Sequence, residues 1–158
     1  ETGFEEIVQT FGVDVPITDL TLAPDGSLLA FVAPGAGSAR EVFVMTPDAS
    51  YLQQVSCLGF AEVLAPAWGA NSDSLAFIGA QATGMPRGLY VARVSGSGNC
   101  PADNGQRLVF QSEATTLTDV AWHPSGDRVY FSNITTKLHV SDNSIFIYKG
   151  FIVIYSTS

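Results

Sequence analysis

The sequence predicts an all-β fold of repeated four-stranded antiparallel sheets, and three observations point to it. A pattern of an apolar strand end, a tight turn and a second apolar strand occurs three times in the 158 residues. A second predicted hairpin follows each copy, which gives four strands per unit. No stretch has the period of an amphipathic helix. Units of about 45 residues whose neighbours cover both sheet faces are typical of the blades of a β-propeller.

The three copies of the pattern align without a gap. They lie 46 and 54 residues apart and read LTLAPDGSLLAF at 20–31, PAWGANSDSLAF at 66–77 and VAWHPSGDRVYF at 120–131. One aligned position holds a large apolar residue in every copy: Leu22, Trp68 and Trp122. The last position is always phenylalanine: Phe31, Phe77 and Phe131. The strands after the turns are apolar on both faces, which predicts burial from two sides.

The centre of each copy has the chemistry of a hairpin turn. In Ala23–Gly26 and His123–Gly126, proline stands where a type I turn needs a fixed φ, and glycine takes the last position. The middle copy, Gly69–Ser72, lacks both residues, but Asn71 adopts turn conformations readily. All three segments are therefore predicted to be turns at one face of the fold.

The repeats predict an incomplete ring of three blades preceded by one outer strand. Residues 1–16 form an N-terminal segment, in which residues 6–11 are the outer strand of a preceding blade. The predicted blades are 17–62, 63–115 and 116–158. After Asn133 the composition changes to one rich in Ile, Ser and Tyr, so the third blade is expected to end in an atypical hairpin around Lys149–Gly150.

The cores APDGSLLAF and HPSGDRVYF resemble the TolB-type repeat, also called PD40 or WD40-like. The resemblance is partial in the second unit and covers residues 17 to about 131. It implies a six- or seven-bladed propeller, often secreted or periplasmic in bacteria, that binds proteins or gates prolyl-oligopeptidase-like serine peptidases. Three blades cannot close such a ring. The chain is therefore a fragment, or two copies close a six-bladed ring, or a partner supplies the rest.

Charge and composition exclude several classes of function. Seven Lys and Arg against fifteen Asp and Glu give a net charge of −8, which repels phosphate backbones, so no nucleic acid is expected as a partner. The apolar run at 151–155 is far shorter than the roughly 20 residues that cross a bilayer, so no membrane span is expected. No phosphate-binding loop and no metal-ligand spacing occurs, so the prediction includes no cofactor and no metal.

The sequence offers little for catalysis. It has no GxSxG motif and only two histidines, His123 and His139. His123 precedes the turn proline of the third unit, where a turn residue is the favoured interpretation over a catalytic base. We therefore predict that this chain is not an enzyme.

The predicted partner-binding residues lie in the turns and on the inner strands. Those at the turn face are Pro24, Asp25, His123 and Pro124. Asp19 and Asp119 occupy matching positions on the inner strands, where a ring of carboxylates near the central channel could bind a cation or a basic peptide. A structural hydrogen bond between adjacent blades is the favoured alternative for these two residues.

The two cysteines leave two interpretations open. Cys57 follows the outer strand of the first blade, whereas Cys100 lies in the long last loop of the second, at the opposite face. A disulfide needs Cα atoms within about 7 Å. The cysteines are therefore either two small apolar residues or, if the loop from Ser95 to Gly105 folds back, a disulfide formed in an oxidising compartment.

Together these observations predict a non-catalytic TolB-like module for protein binding or assembly in an extracytoplasmic setting, periplasmic or secreted. Its partner is another protein or a second copy that completes the propeller. One alternative is a fragment of the gating propeller of a prolyl-oligopeptidase-like serine peptidase. The other is a structural subunit of a cell-surface or multi-subunit assembly.

Overall fold

The structure of the chain is a computed structural model that describes residues 16–36, 39–94, 98–100, 105–111, 113, 116–134, 139–141, 144–146 and 151–156. Within these ranges all regular secondary structure is β-strand. The predicted outer strand at 6–11 lies outside the described residues. No helix long and apolar enough to cross a membrane occurs in the described part of the chain.

Two antiparallel sheets of four strands follow each other along the chain. The first sheet has the order β1-β2-β3-β4 and consists of β1 (Thr18–Leu22), β2 (Leu29–Pro34), β3 (Arg40–Met45) and β4 (Leu52–Gln54). The second sheet has the order β5-β6-β7-β8 and consists of β5 (Glu62–Trp68), β6 (Ser74–Ala80), β7 (Gly88–Arg93) and β8 (Arg107–Gln111). Each is a meander in sequence order, so the predicted all-β fold of propeller blades is confirmed.

The third sheet is built differently. It has the order β13-β10-β9 and consists of β9 (Thr116–Trp122), β10 (Arg128–Ile134) and β13 (Phe151–Ser156), while β11 (His139–Ser141) and β12 (Ser144–Phe146) pair only with each other. The turn of the hairpin expected around Lys149–Gly150 lies outside the described residues; of the strands on either side, β12 pairs with β11 and β13 with β10. The apolar run at 151–156 pairs with β10 over six consecutive residues, which offers more ladder hydrogen bonds than three-residue β12.

The inner strands of all three sheets share an irregularity that the sequence does not reveal. The register shifts between Thr18 and Thr21 in β1, between Leu64 and Ala67 in β5, and opposite Ser132 and Asn133 where β9 pairs with β10. Such β-bulges bend the strand and redirect its side chains. Asp19 and Ala65, which are equivalent residues, both have positive φ, at 57° and 52°. The bulge is thus a repeated feature of the inner strand.

A hydrophobic core fills the space between the first and second sheets. Val32 and Val44 of the first sheet and Phe77 of the second are among its buried members. Phe60, in the connection between the sheets, contacts the ring of Phe77 edge-on with centroids 5.8 Å apart. A second core, which includes Ile78 and Phe131, joins the second sheet to the third. Each sheet is therefore covered by its neighbour, as blades of a propeller are.

Gly79 is required for the packing of Phe60. A Cβ atom at this residue would lie 2.7 Å from the Phe60 ring, closer than van der Waals contact allows. We expect Gly79→Ala to lower the free energy of unfolding by about 2 kcal/mol, the usual cost of overpacking a core. Urea denaturation measures this. Gly69→Ala is the matched control, because its Cβ would meet its nearest neighbour at an ordinary 3.4 Å; equal losses in the two variants would contradict the steric explanation.

Candidate partner-binding surfaces

The three hairpin turns lie side by side at one face of the sheets. The backbone N–H of Asp25 donates to Oγ of Ser72 at 3.2 Å, which joins the first turn to the second. A Cβ atom at Gly126 would lie 3.7 Å from that of Ala70, which places the third turn beside the second. The structure therefore brings Pro24, Asp25 and Pro124 onto one exposed face.

The carboxylate of Asp25 is held by its own turn. Its Oδ1 accepts hydrogen bonds from the Ser27 N–H at 2.9 Å and from the Ser27 hydroxyl at 2.7 Å. These bonds hold the pKa of Asp25 below its usual value, so the group stays charged. The side chain fixes the turn and still presents a negative charge to solvent.

The third turn contains a histidine, a serine and an aspartate in contact, and the sequence pattern indicated only the first. The Ser125 N–H donates to Nδ1 of His123 at 3.1 Å, and the Ser125 hydroxyl donates to Asp127. That hydrogen bond first, and the charge of Arg128 second, hold the pKa of Asp127 below its usual value. In a catalytic triad the acid orients the histidine and the histidine takes the serine proton. Here Nδ1 of His123 does lie 2.5 Å from the Ser125 hydroxyl, but the acid accepts from the serine and not from the histidine, which is the arrangement of a stabilised turn.

Asp19 and Asp119 do not form equivalent contacts. Oδ1 of Asp19 accepts from the backbone N–H of Ala65 at 3.4 Å, which bridges the first and second sheets. Oδ1 of Asp119 accepts from the next N–H of its own strand, that of Val120, at 2.8 Å. Because Ala65 takes the equivalent position in the second unit, the row of carboxylates is interrupted there. Among the described residues no group of three potential metal ligands comes together.

Cys57 and Cys100 form a disulfide with Cα atoms 5.6 Å apart. The loop before β8 reaches Cys57 by folding back along the outer edge of the first sheet. The Cys100 N–H donates to the Gln54 carbonyl at 2.9 Å, and Nε2 of Gln53 donates to the Gly98 carbonyl at 2.8 Å. The expectation that the two cysteines lie at opposite faces is wrong, because Gly98–Cys100 fold back against Gln53 and Gln54 of β4.

Arg87 forms a bidentate ion pair within the second sheet and also contacts the third sheet, and no sequence motif indicated these contacts. Arg87 donates from Nε and Nη2 to the two carboxylate oxygens of Glu62, at 2.9 and 2.5 Å. Its third nitrogen, Nη1, donates to the carbonyl of Leu117 in β9 at 2.9 Å. One side chain thus links the second sheet to the third.

The first sheet exposes apolar side chains along β1. Leu20 is 66% exposed and Leu22 is 55% exposed. The residue equivalent to Leu22 in the second sheet, Trp68, is only 7% exposed and donates its indole N–H to the Thr21 carbonyl of the preceding sheet at 3.3 Å. The position of Leu22 is therefore one that packs against a preceding blade.

Comparison with known proteins adds information on the fold alone. No protein-family model and no curated protein matches the chain. Solved structures do match it. TolB from Acinetobacter baumannii aligns with a TM-score of 0.57 and 14% identity over 90% of this chain and 30% of its own.

Peptidases share the same architecture. A prolyl endopeptidase aligns with a TM-score of 0.62 and 12% identity over 99% of this chain and 23% of its own. The acylaminoacyl peptidase of Pyrococcus horikoshii gives 0.59 and 12% over 90% and 23%. The chain spans less than a third of each of these structures. By its fold it is a partial β-propeller like those of TolB and of prolyl-oligopeptidase-like peptidases.

Proposed function

We propose that this chain is a non-catalytic TolB-like propeller module that mediates protein binding or assembly outside the cytoplasm. The observation that carries the proposal is the exposed apolar row on β1. Leu20 and Leu22 on β1, and Ile17 just before it, stand where the second sheet has the buried residues Pro66, Trp68 and Val63. Adjacent exposed apolar residues on a monomer mark a surface that another protein covers. The natural cover for the face of a blade is another blade, from the same polypeptide or from a second copy.

The contacts of the third turn support a role without catalysis. The serine, histidine and aspartate there lie within five residues of one turn, and the aspartate accepts from the serine rather than from the histidine, unlike the acid of a catalytic triad. The residues fix a turn beside the two other exposed turns. Exposed loops on a rigid scaffold are the usual position of contacts to a partner.

The disulfide supports the extracytoplasmic setting. Disulfides persist in secreted and periplasmic proteins and are rare where glutathione keeps thiols reduced. The bond between Cys57 and Cys100 closes a separation of 43 residues and joins the first sheet to a loop of the second. A contact of that kind has a structural role in an oxidising compartment.

The assembly proposal is tested by light scattering, which gives the mass of the particle that the chain forms in solution. We expect the native chain to form a particle of two chains, and we expect the variant Leu20→Ser/Leu22→Ser to be a monomer with an unchanged circular dichroism spectrum. Both leucines are more than half exposed, so their replacement costs the fold little. The matched control is Leu108→Ser on β8, which is 47% exposed but far from β1 in the sheet order. A native monomer that the β1 substitutions do not change would contradict a docking role for this strand.

The alternative of a peptidase gating propeller is favoured by a specific observation, the likeness to the prolyl endopeptidase and acylaminoacyl peptidase structures. It predicts that the open face of β1 is covered by further blades of one long polypeptide that also carries a hydrolase domain. The test is peptide hydrolysis by the full-length natural protein. Activity that is lost when a GxSxG serine in that second domain is replaced would establish this alternative over the binding module.

A further inference from the structure

The groove between the first and second sheets is occupied by a segment of the chain itself. At its outer end Gln53, which is fully buried and pairs with Val44, donates to the carbonyl of Gly98 at 2.8 Å. Asn99 and Cys100 then continue along β4, where Oδ1 of Asn99 accepts from the Gln54 N–H at 2.8 Å. A bent segment, with positive φ at Gly98 (88°) and Cys100 (54°), therefore lies in this groove and hydrogen-bonds to the edge of the sheet.

Among the described residues, no segment occupies the equivalent groove between the second and third sheets. It holds a cavity of about 630 Å³ that extends from the turn at Gly69–Ser74 to Trp122 of the third sheet. Ligand-binding clefts are commonly of this size. In the pairing of β7 with β8, Arg107 lies opposite Val91, so it takes the place that Gln53 has opposite Val44.

Two arginines line one wall of the open groove. Val91 packs on the core that faces the third sheet. Arg107 shares this face because it is paired with Val91, and Arg93 shares it because alternate residues of a strand lie on one side. Both arginines are exposed, and in the described part of the chain neither takes part in an ion pair.

The electrostatics of the groove differ from those of the whole chain. The chain has only seven Lys and Arg residues and a net charge of −8, yet the described lining holds two guanidinium groups and a single carboxylate, that of Asp73. Asp73 accepts from the hydroxyl of Ser74 at 2.9 Å. Arginine presents paired donors that match the geometry of a carboxylate. The local charge therefore selects an anionic group.

We propose that the groove between the second and third sheets binds a peptide segment of a partner protein through a side-chain carboxylate held by Arg93 and Arg107. The segment enters as Gly98–Cys100 enter the preceding groove, with its backbone beside the edge strand β8. This inference rests on the proposed role in protein binding, and it names the chemistry of a partner at a surface separate from β1.

Fluorescence anisotropy with a defined probe tests the proposal. The probe is rhodamine-labelled Gly-Gly-Asp-Glu-Gly-Gly, and its amide counterpart Gly-Gly-Asn-Gln-Gly-Gly is the control. We expect the acidic peptide to bind the full chain at least about tenfold more tightly than the amide peptide, with weaker binding as salt rises, because charge-assisted hydrogen bonds are about twice as strong as neutral ones. Tryptophan emission changes on binding, because Trp122 lines the groove.

Matched variants locate the site. Arg93→Gln and Arg107→Gln should each weaken binding of the acidic peptide at least about fivefold, and Asp73→Asn should tighten it. Arg128→Gln is the control, because Arg128 is exposed, pairs with Asp127 at 3.4 Å and does not line the groove. Circular dichroism verifies that each variant is folded.

Three results would overturn the inference. The first is equal affinity for the acidic and amide peptides, and the second is an equal loss in Arg128→Gln and Arg107→Gln. The third is full competition by free glutamate at the concentration of peptide that saturates the groove, which would make this a site for a small anion. The variant Leu20→Ser/Leu22→Ser separates the two proposals, because it should abolish assembly through β1 and leave peptide binding unchanged.

Discussion

Replacing both cysteines by serine, Cys57→Ser/Cys100→Ser, should lower the free energy of unfolding by about 4 kcal/mol, the chain-entropy value for a loop of this length. The bond closes 43 residues that contain most of the second sheet. Without it, the unfolded chain gains conformations. The hydrogen bonds at Gln53 and Gln54 then have to hold the Gly98–Cys100 segment on β4 alone.

The measurement is urea unfolding of the native chain, the double variant and the native chain with reductant. The two forms that lack the bond should have the same midpoint of unfolding, since they differ only in serine against a free thiol. Asn99→Ala in the oxidised chain is the control for the hydrogen bonds, and its loss should be about 1 kcal/mol. A double variant as stable as the native chain would show that the loop is held by its polar contacts and that the disulfide adds nothing.

Loss of the bond should also change association, because it frees the edge of β4. Unpaired strand edges pair with other chains. Light scattering of the reduced protein at rising concentration should therefore show larger particles than the oxidised protein, in the double variant as well.

The strands were predictable from the sequence because their signals are local. Proline and glycine at Pro24 and Gly126 fix turns through backbone conformation, and the apolar residues after each turn require burial. Phe31, Phe77 and Phe131 are accordingly almost fully buried. Each of these patterns involves residues only a few positions apart, so it can be recognised in a single sequence.

Contacts between distant segments were not predictable in the same way. Closing a long loop costs only slightly more conformational entropy than closing a short one. The length of the loop therefore does not determine whether Cys100 returns to Cys57. Arg93 and Arg107 share a groove only because β8 pairs with β7 in one register. The composition of the loop between them, rich in Gly and Ser, does not determine that register.

Glu41 shows the same limit for a single residue. It is a charged residue that follows Arg40 at the start of β3, and such residues are almost never fully buried, so the sequence predicts an exposed side chain. In the structure it is only 2% exposed, because the connection between the first and second sheets folds over it. Its carboxylate accepts hydrogen bonds from the Ser56 hydroxyl and, at 2.7 Å, from the Gly59 N–H. It therefore anchors the connection that carries Cys57.

Glu41→Leu should lower the free energy of unfolding by about 3 kcal/mol, because each buried donor left without an acceptor costs about 1–3 kcal/mol. Glu41→Gln should cost much less, since its amide oxygen still accepts from Gly59. Glu113→Leu, at an exposed residue, is the control and should lie within about 0.5 kcal/mol of the native chain. Urea unfolding at neutral pH gives the three values. A loss in Glu41→Gln as large as that in Glu41→Leu would contradict the role of the hydrogen bonds.

The pH dependence of stability separates the charge of Glu41 from its hydrogen bonds. Burial raises its pKa above the ordinary value of 4.5, and the bonds from Ser56 and Gly59 oppose that rise without cancelling it. The folded state then binds the proton more tightly than the unfolded state. The stabilisation by this group is fully present below the unfolded pKa and is lost as pH rises through the raised, folded pKa. Glu41→Gln carries no such proton, so its stability relative to the native chain should increase as pH rises from the ordinary value of 4.5 through the raised, folded pKa, and then stay constant.

The other carboxyl groups with shifted pKa values do not disturb this comparison. The lowered pKa values of Asp25 and Asp127, and that of Asp48 at about 2, have the opposite effect on stability at acid pH, but both proteins contain these groups and their effect cancels in the difference. A difference that does not vary with pH would mean that the Glu41 carboxylate is as well solvated in the folded chain as in the unfolded one.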